Sequence, residues 1–138
     1  MNWIVAKMKW IMVVSGVLTF SMIYAAVAPQ AALNSTFGAS LEGPLAEIIV
    51  RNWGVMIALV GAMLIYGAYK PISRPLILTL ASVGKLTFIT LVLTYGRQYL
   101  GSQAGVVILI DLVMVSLYLS YLVSISKSRN SALESNPT

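Results

Sequence analysis

Two charged residues lie inside stretches of sequence that are otherwise apolar, and they are the first residues here that could do chemistry. Lys85 interrupts the apolar stretch 75–96, and Asp111 interrupts the apolar stretch 105–126. Inserting a charged side chain near the middle of a bilayer costs on the order of 2.5 to 3.5 kcal/mol on insertion scales. Such a residue is therefore expected to have an interaction partner or a functional role. We therefore expect Lys85 and Asp111 to form an ion pair between neighbouring helices.

The depths of these two residues are compatible with such a pair. At about 1.5 Å per helical residue, Lys85 lies roughly 16 Å from the Arg74 end of its helix, and Asp111 roughly 22 Å from the Ser126 end of the next. A lysine side chain can bridge the remaining distance of about 6 Å. The sequence thus predicts the ion pair in the outer half of a helix bundle.

Further polar residues are expected near the outer boundary. Arg51 follows Glu47 at the i,i+4 spacing that favours an ion pair, and its side chain is long enough to reach toward Asp111. Tyr118 lies on the same helix face as Asp111. We predict an outward-facing polar cluster that binds a ligand, with the candidate residues Glu47, Arg51, Asn52, Lys85, Asp111 and Tyr118. The residues that follow Lys85 on its helix face and would wall a cavity are Phe88, Val92 and Tyr95.

Each of these features also has a purely structural interpretation. A pair between Lys85 and Asp111 can serve only to hold two helices in register. Glu47 and Arg51 can form an ordinary pair at the membrane interface. Tryptophan and tyrosine rings near the ends of membrane spans are typical of an aromatic belt.

Several kinds of chemistry have no residues to carry them. The chain contains no cysteine and no histidine, so thiol chemistry and the commonest ligands of zinc, copper and haem are missing. No Gly-rich phosphate loop or nucleophile elbow occurs in the sequence. We therefore expect no metal centre and no cofactor, and we assign no catalytic residue.

The elements that must position the polar residues are membrane spans. Of the 138 residues, 59% are hydrophobic and 9% are charged, and the mean hydropathy is +0.88, which excludes an ordinary soluble domain. Since each crossing takes about 20 residues, four crossings leave no room for a catalytic domain outside the membrane. The predicted spans are 10–27, 48–69, 75–96 and 105–126, with an interfacial outer loop at 28–47 and a polar, mobile tail at 127–138.

The distribution of positive charge predicts the orientation of these spans. If the spans alternate in direction, Arg51 and Arg97 lie on one side, and six cations lie on the other: Lys7, Lys9, Lys70, Arg74, Lys127 and Arg129. Positively charged loops stay in the cytoplasm. The fold class we expect is an all-α integral membrane protein, an antiparallel bundle of four transmembrane helices with both termini cytoplasmic. The net charge of +5 then reflects topology, and no nucleic acid is expected as a partner.

The second span carries a surface of small residues that permits close helix packing. These residues are Gly54, Ala58, Gly61, Ala62 and Ala68. Such a surface packs against a neighbouring helix of the same chain or against a partner, so a homo-oligomer or a partner membrane protein is possible beside the membrane lipids.

A few segments resemble a known family. The run Glu47-Ile48-Ile49-Val50-Arg51-Asn52-Trp53-Gly54, the hairpin Pro71-Ile72-Ser73-Arg74-Pro75, Lys85 and Asp111 are similar to features of DoxX-like and related small four-helix proteins of the bacterial inner membrane. The resemblance covers about residues 10–126. It implies a compact four-helix bundle in the bacterial inner membrane, with some relatives linked to quinone-connected oxidation, and it supplies no catalytic residue.

Three functions stay open at this stage. The first is binding or transport of a small polar molecule, an ion or a lipid headgroup at the polar cluster. The second is a non-catalytic membrane subunit or assembly factor that uses the small-residue surface of the second span. The third is an intramembrane enzyme acting on a lipid or quinone, with Asp111 as acid or base.

Overall fold

A computed structural model describes residues 2–136, and this part of the chain is helical without β-strands. Short 3₁₀ turns connect or interrupt the α-helices at Ser21–Ile23, Pro71–Ser73 and Arg97–Tyr99. The α-helices are α1 (Asn2–Phe20), α2 (Tyr24–Val27), α3 (Pro29–Phe37), α4 (Pro44–Tyr69), α5 (Arg74–Tyr95) and α6 (Gln103–Glu134).

The prediction of four long apolar helices is confirmed. Four helical segments are long and apolar enough to cross a membrane, and they are Trp3–Val27, Pro44–Tyr69, Pro71–Tyr95 and Gln103–Glu134. α1 and α2 together form the first segment. We call the end of the bundle that carries α3 the α3 end, and the end where α1 begins and α6 finishes the terminus end.

The helices extend beyond the apolar stretches at the terminus end. α1 begins at Asn2, and α6 runs to Glu134 instead of ending near residue 126. Residues 127–134 therefore continue a helix, where the sequence predicts a mobile tail. The reason is local: no proline or glycine occurs between 106 and 136 to stop the helix, and helical backbone hydrogen bonds do not require an apolar side chain.

The outer loop contains a helix of its own. Pro29 cannot continue α2, so the chain turns at Ala28 and begins α3 with proline in its first turn. α3 ends at Phe37 and is followed by the capping residue Gly38, which adopts the left-handed conformation with φ of 66°. The Ser102 hydroxyl donates a 3.1 Å hydrogen bond to the Phe37 carbonyl, which attaches the end of α3 to the start of α6.

The small-residue surface of α4 packs inside the chain. A Cβ atom added to Gly61 would lie 2.7 Å from the Gly16 carbonyl oxygen, and one added to Gly54 would lie 2.8 Å from the Ala25 Cβ. α1 and α2 therefore approach α4 as closely as glycine permits. Gly54 and Gly61 of the small-residue surface therefore pack against the protein's own first span, whereas Ala62 of that surface is exposed.

Two of the hydrophobic clusters lie toward opposite ends of the bundle. At the terminus end, the terminal plug is a cluster of large buried side chains that includes Met8, Met12, Leu64, Leu78 and Met114. At the α3 end, a smaller cluster is formed by Ile89, Val92 and Ile108 with Phe37 and Phe88 packed against them. We call it the α3-end cluster.

Candidate functional site

A pair of charged side chains joins α5 to α6 in the middle of the bundle. Lys85 Nζ lies 2.6 Å from Asp111 Oδ1, and the two side chains are 11% and 10% exposed. Within residues 2–136 this is the only hydrogen bond of either side chain. Because an ammonium group has three donors and a carboxylate has two acceptor oxygens, the pair retains unused hydrogen-bonding capacity.

A second buried polar contact joins α6 to α1. The Tyr118 hydroxyl donates a 2.5 Å hydrogen bond to Ser15 Oγ, and the Tyr118 side chain is fully buried. Side chains on a helix lean toward its N-terminus, so the ring of Tyr118 leans toward Asp111, with which it interacts electrostatically. The structure thus keeps Tyr118 near the charged pair, as the sequence predicts from their shared helix face.

Two further hydroxyl groups lie inside the bundle. Thr19 follows Ser15 by one turn on α1, and Ser82 precedes Lys85 by one turn on α5; both residues are buried. Neither hydroxyl has a hydrogen-bond partner in the described part of the chain. We call the whole set the polar seam, and its members are Ser15, Thr19, Ser82, Lys85, Asp111 and Tyr118.

The order of residues along the helices places the polar seam between the two hydrophobic clusters. On α5, Leu78 belongs to the terminal plug, Lys85 to the seam and Ile89 to the α3-end cluster. On α6 the order is reversed, from Ile108 through Asp111 to Met114 of the terminal plug. The ring of Tyr118 packs in the terminal plug, and its hydroxyl group belongs to the seam. The seam is therefore closed by apolar side chains on both sides.

The structure does not bring all six predicted binding residues together. Arg51 donates a hydrogen bond to the Ala26 carbonyl and lies 3.8 Å from the Glu47 carboxylate, with the side chains of Arg51 and Glu47 46% and 48% exposed. The expectation that Arg51 reaches toward Asp111 is therefore wrong. Pro29 has no N–H and breaks the helix, so carbonyl groups of α2 lack their usual donors. The Ala26 carbonyl is therefore available to accept the hydrogen bond from Arg51.

The predicted outward-facing cluster thus divides into two parts. Glu47 and Arg51 form an exposed pair that ties α4 to α2, and Asn52 beside them is also exposed. Lys85, Asp111 and Tyr118 lie inside the bundle. Of the two parts, only the second is enclosed by the helices.

An apolar groove of about 350 Å³ lies at the α3 end between α3, α4 and α5, and we call it the outer groove. Phe37 stands at its centre, with its ring centroid 6.2 Å from that of Trp53, 6.5 Å from Phe88 and 5.4 Å from Tyr99. The residues that line it are Leu33, Phe37, Ile49, Val50, Trp53, Phe88, Leu91, Val92, Tyr95, Gly96 and Tyr99.

The outer groove includes the three wall residues that the sequence predicts, but with different neighbours. Phe88, Val92 and Tyr95 line it, as their spacing after Lys85 suggests. The opposite wall comes from α3 and α4, whereas Tyr118 is not among the lining residues. Neither Phe37 nor Trp53 was foreseen there. Phe37 lies in the stretch predicted as an outer loop, and Trp53, near the end of a span, is equally typical of a lipid-facing belt.

Among residues 2–136, no group of three histidine, cysteine, aspartate or glutamate side chains could hold a metal ion. No protein-family model matches the sequence, and neither curated proteins nor solved structures give a match. The class of protein therefore rests on the fold and the site alone. It is an all-α chain with four helices able to cross a membrane and a polar seam enclosed between them.

Proposed function

We propose that this chain is a multi-pass protein of the bacterial inner membrane, with both termini in the cytoplasm, that binds a small polar ligand at the polar seam and carries it across the membrane. Four long apolar helices support the membrane location. The excess of lysine and arginine at the terminus end supports the orientation. The resemblance to DoxX-like proteins is part of this proposal and assigns no role to any residue.

The unused hydrogen-bonding capacity of the polar seam carries this proposal. Buried polar groups in proteins nearly always have a partner, which is protein, water or ligand. Ser82 Oγ and Thr19 Oγ1 have no protein partner within residues 2–136, and Lys85 and Asp111 use one hydrogen bond between them. A seam that served only to join helices would gain stability by satisfying these groups or by replacing them with apolar ones.

The two hydrophobic clusters supply a means of controlled access. Apolar constrictions exclude water and ions while they stay closed, so a polar site between two of them is isolated from both sides. Transport then requires the α3-end cluster and the terminal plug to open in turn. α3 is the element best placed to open the outer side, because it lies between Ala28 and Gly38 and carries Phe37. To move, it would have to release the packing of its buried face on α2 and α4 and the hydrogen bond from Ser102.

The other two functions have less support in the geometry. A role as a membrane subunit would rest on the small-residue surface of α4, where Gly54 and Gly61 are covered by α2 and α1 and Ala62 is exposed. Asp111, the acid or base of a lipid- or quinone-linked enzyme, is engaged with Lys85, and no nucleophile is paired with a base beside it in the described residues.

Water access to the polar seam tests the proposal. The chain has no cysteine, so a single Ser82→Cys change reports on its own position in liposomes. A small charged methanethiosulfonate reagent should modify this thiol, because transport exposes the seam to water. The control is Leu78→Cys, one turn away on α5 and fully buried in the terminal plug. If the thiol at position 82 is as unreactive as that at position 78, the proposal is wrong.

A further inference from the structure

The polar seam and the outer groove together indicate the class of ligand. We propose that the ligand is a small zwitterion with an aromatic body, whose ammonium and acid groups meet Asp111 and Lys85 and whose ring lies in the outer groove. This inference rests on the proposed function, since it names the ligand of the same seam. Charge, shape and position support it separately.

The charge argument starts from the neutrality of the buried pair. Lys85 and Asp111 balance each other, and in the described part of the chain no third charged side chain is bonded to them. A ligand with a net charge would leave an uncompensated charge inside the bundle, which is strongly unfavourable in a low-dielectric interior. A zwitterion presents one charge to each partner and keeps the sum at zero.

The shape argument comes from the lining of the outer groove. Its volume of about 350 Å³ lies at the lower end of the range of about 300 to 1,000 Å³ that is typical of small-molecule sites. The ring of Phe37 lies there within contact distance of three others, those of Trp53, Phe88 and Tyr99. Aromatic rings at such separations offer both edges and faces to a further ring.

The position argument connects the groove to the charged pair. Phe88 lines the groove and follows Lys85 by three residues, hence by about one helical turn of 5.4 Å on the same face of α5. Ile108, which packs in the α3-end cluster beside Phe88, precedes Asp111 by three residues on α6. The α3-end cluster separates the groove from the pair in this structure. Once that cluster opens, a molecule with its ring beside Phe88 needs only a short chain to bring its charged groups to the pair.

Four probes separate the charge requirement from the ring requirement. L-Phenylalanine has both the zwitterionic end and the ring, glycine has only the zwitterionic end, phenylacetate is an anion with the ring, and phenethylamine is a cation with the ring. Each is added to the full chain in detergent, and the thermal unfolding temperature and the apparent Kd are measured. We expect L-phenylalanine to raise the unfolding temperature most. Its apparent Kd should be lower than those of the other three probes by a factor of about ten or more, since each of them loses one contact.

Two pairs of variants test where the probe binds. Leu91→Trp should fill the groove and weaken the binding of L-phenylalanine, whereas Leu93→Trp, at another exposed position of α5 but outside the lining, should leave it unchanged. Lys85→Met combined with Asp111→Asn keeps the interior neutral and should abolish the binding. Lys85→Asp combined with Asp111→Lys retains one charge of each sign and should retain weaker binding.

The results distinguish this inference from the proposed function. If glycine or one of the singly charged probes stabilises the protein as much as L-phenylalanine, and the neutral double variant abolishes that effect, the seam binds a ligand but the ligand class is wrong. If Leu91→Trp and Leu93→Trp have equal effects, the groove does not hold the ring. If no probe binds while Ser82→Cys is modified from water, the ligand class is again wrong and the proposed function stands.

Discussion

Tyr118 donates a hydrogen bond to Ser15 across the interior of the bundle, and it joins two helices whose contacting residues are 103 positions apart in the chain. Both side chains are buried, so water does not compete with this bond. Together with the Lys85–Asp111 contact it links α1, α6 and α5 through polar groups at the centre of an otherwise apolar bundle. We expect the loss of each contact to lower the free energy of unfolding by a different amount.

Removing the acceptor of the Tyr118 hydrogen bond should destabilise the protein more than removing the donor. Ser15→Ala leaves a fully buried hydroxyl without a partner, which costs about 1 to 3 kcal/mol. Tyr118→Phe removes the hydroxyl itself, and Ser15 retains its contact of 3.4 Å with the Met12 carbonyl, so the cost should be nearer to about 1 kcal/mol. Thermal or denaturant unfolding in detergent measures both; a larger loss for Tyr118→Phe would contradict the assignment of donor and acceptor roles.

The charged pair should behave differently when one partner or both are changed. Lys85→Met alone leaves the buried Asp111 carboxylate without its cation, and Asp111→Asn alone leaves the buried Lys85 ammonium without its anion. Each single change should lower the unfolding free energy by about 3 kcal/mol. The double variant contains no buried charge and should recover most of that loss. A double-mutant cycle of unfolding free energies in detergent gives the interaction energy directly.

The same cycle separates structural support from function when ligand binding is measured beside stability. We expect the double variant to recover stability without recovering the binding of a zwitterionic probe. Additive losses in the cycle would mean that the two side chains do not interact in the folded protein. Recovery of both stability and binding would show that the pair only holds α5 and α6 in register.

Two glycine substitutions test the close packing of the first and second spans. Gly61→Ala places a Cβ atom 2.8 Å from the Phe20 Cα and 2.7 Å from the Gly16 carbonyl oxygen, so backbone must move, and the loss should be about 2 kcal/mol or more. Gly84→Ala is the matched control, because a Cβ atom there meets nothing within 4 Å. It should raise the stability of α5 by about 0.5 to 1 kcal/mol, since alanine is the better helix former. Equal effects at the two positions in thermal unfolding would exclude the packing of α1 on α4.

Single cysteines test the orientation of the bundle. All four positions are exposed: Glu42 and Gln98 at the α3 end, Ile72 and Ser131 at the terminus end. In intact cells, an impermeant maleimide should label Glu42→Cys and Gln98→Cys from outside the inner membrane. Ile72→Cys and Ser131→Cys should react only after the membrane is permeabilised. The reverse pattern would place the termini outside, and labelling of both sets would indicate mixed orientations.

How far the sequence predicts the candidate site differs from residue to residue. Lys85 and Asp111 were expected to meet, because α5 and α6 are consecutive and joined by a short turn, which makes them neighbours. Tyr118 was expected near Asp111, because helical periodicity places both on one face. Ser15 was not expected, since nothing in the first span indicates which other helix it will face.

Arg51 shows where reasoning from the sequence failed. The position of Arg51 along the bundle axis, near the outer boundary, is compatible with a contact to Asp111. That position does not determine the direction in which the side chain points. The break at Pro29 leaves the Ala26 carbonyl available at the same height, and Arg51 donates to it. Arg51 therefore donates to the nearby Ala26 carbonyl on α2 and does not reach the more distant carboxylate of Asp111.

The amino-acid sequence by itself determined that the chain forms four long apolar helices, where the hairpins fall, and that a lysine and an aspartate sit deep within two consecutive helices. These properties depend on composition, periodicity and short-range geometry, which are local. Only the tertiary structure decided that Gly54 and Gly61 of α4 face α2 and α1, that the polar residues divide into a buried seam and an exposed pair, and that Phe37 packs among aromatic rings in an outer groove. Those outcomes depend on which helix faces meet, and many arrangements of four apolar helices bury similar surface, so close packing between distant segments selects among them.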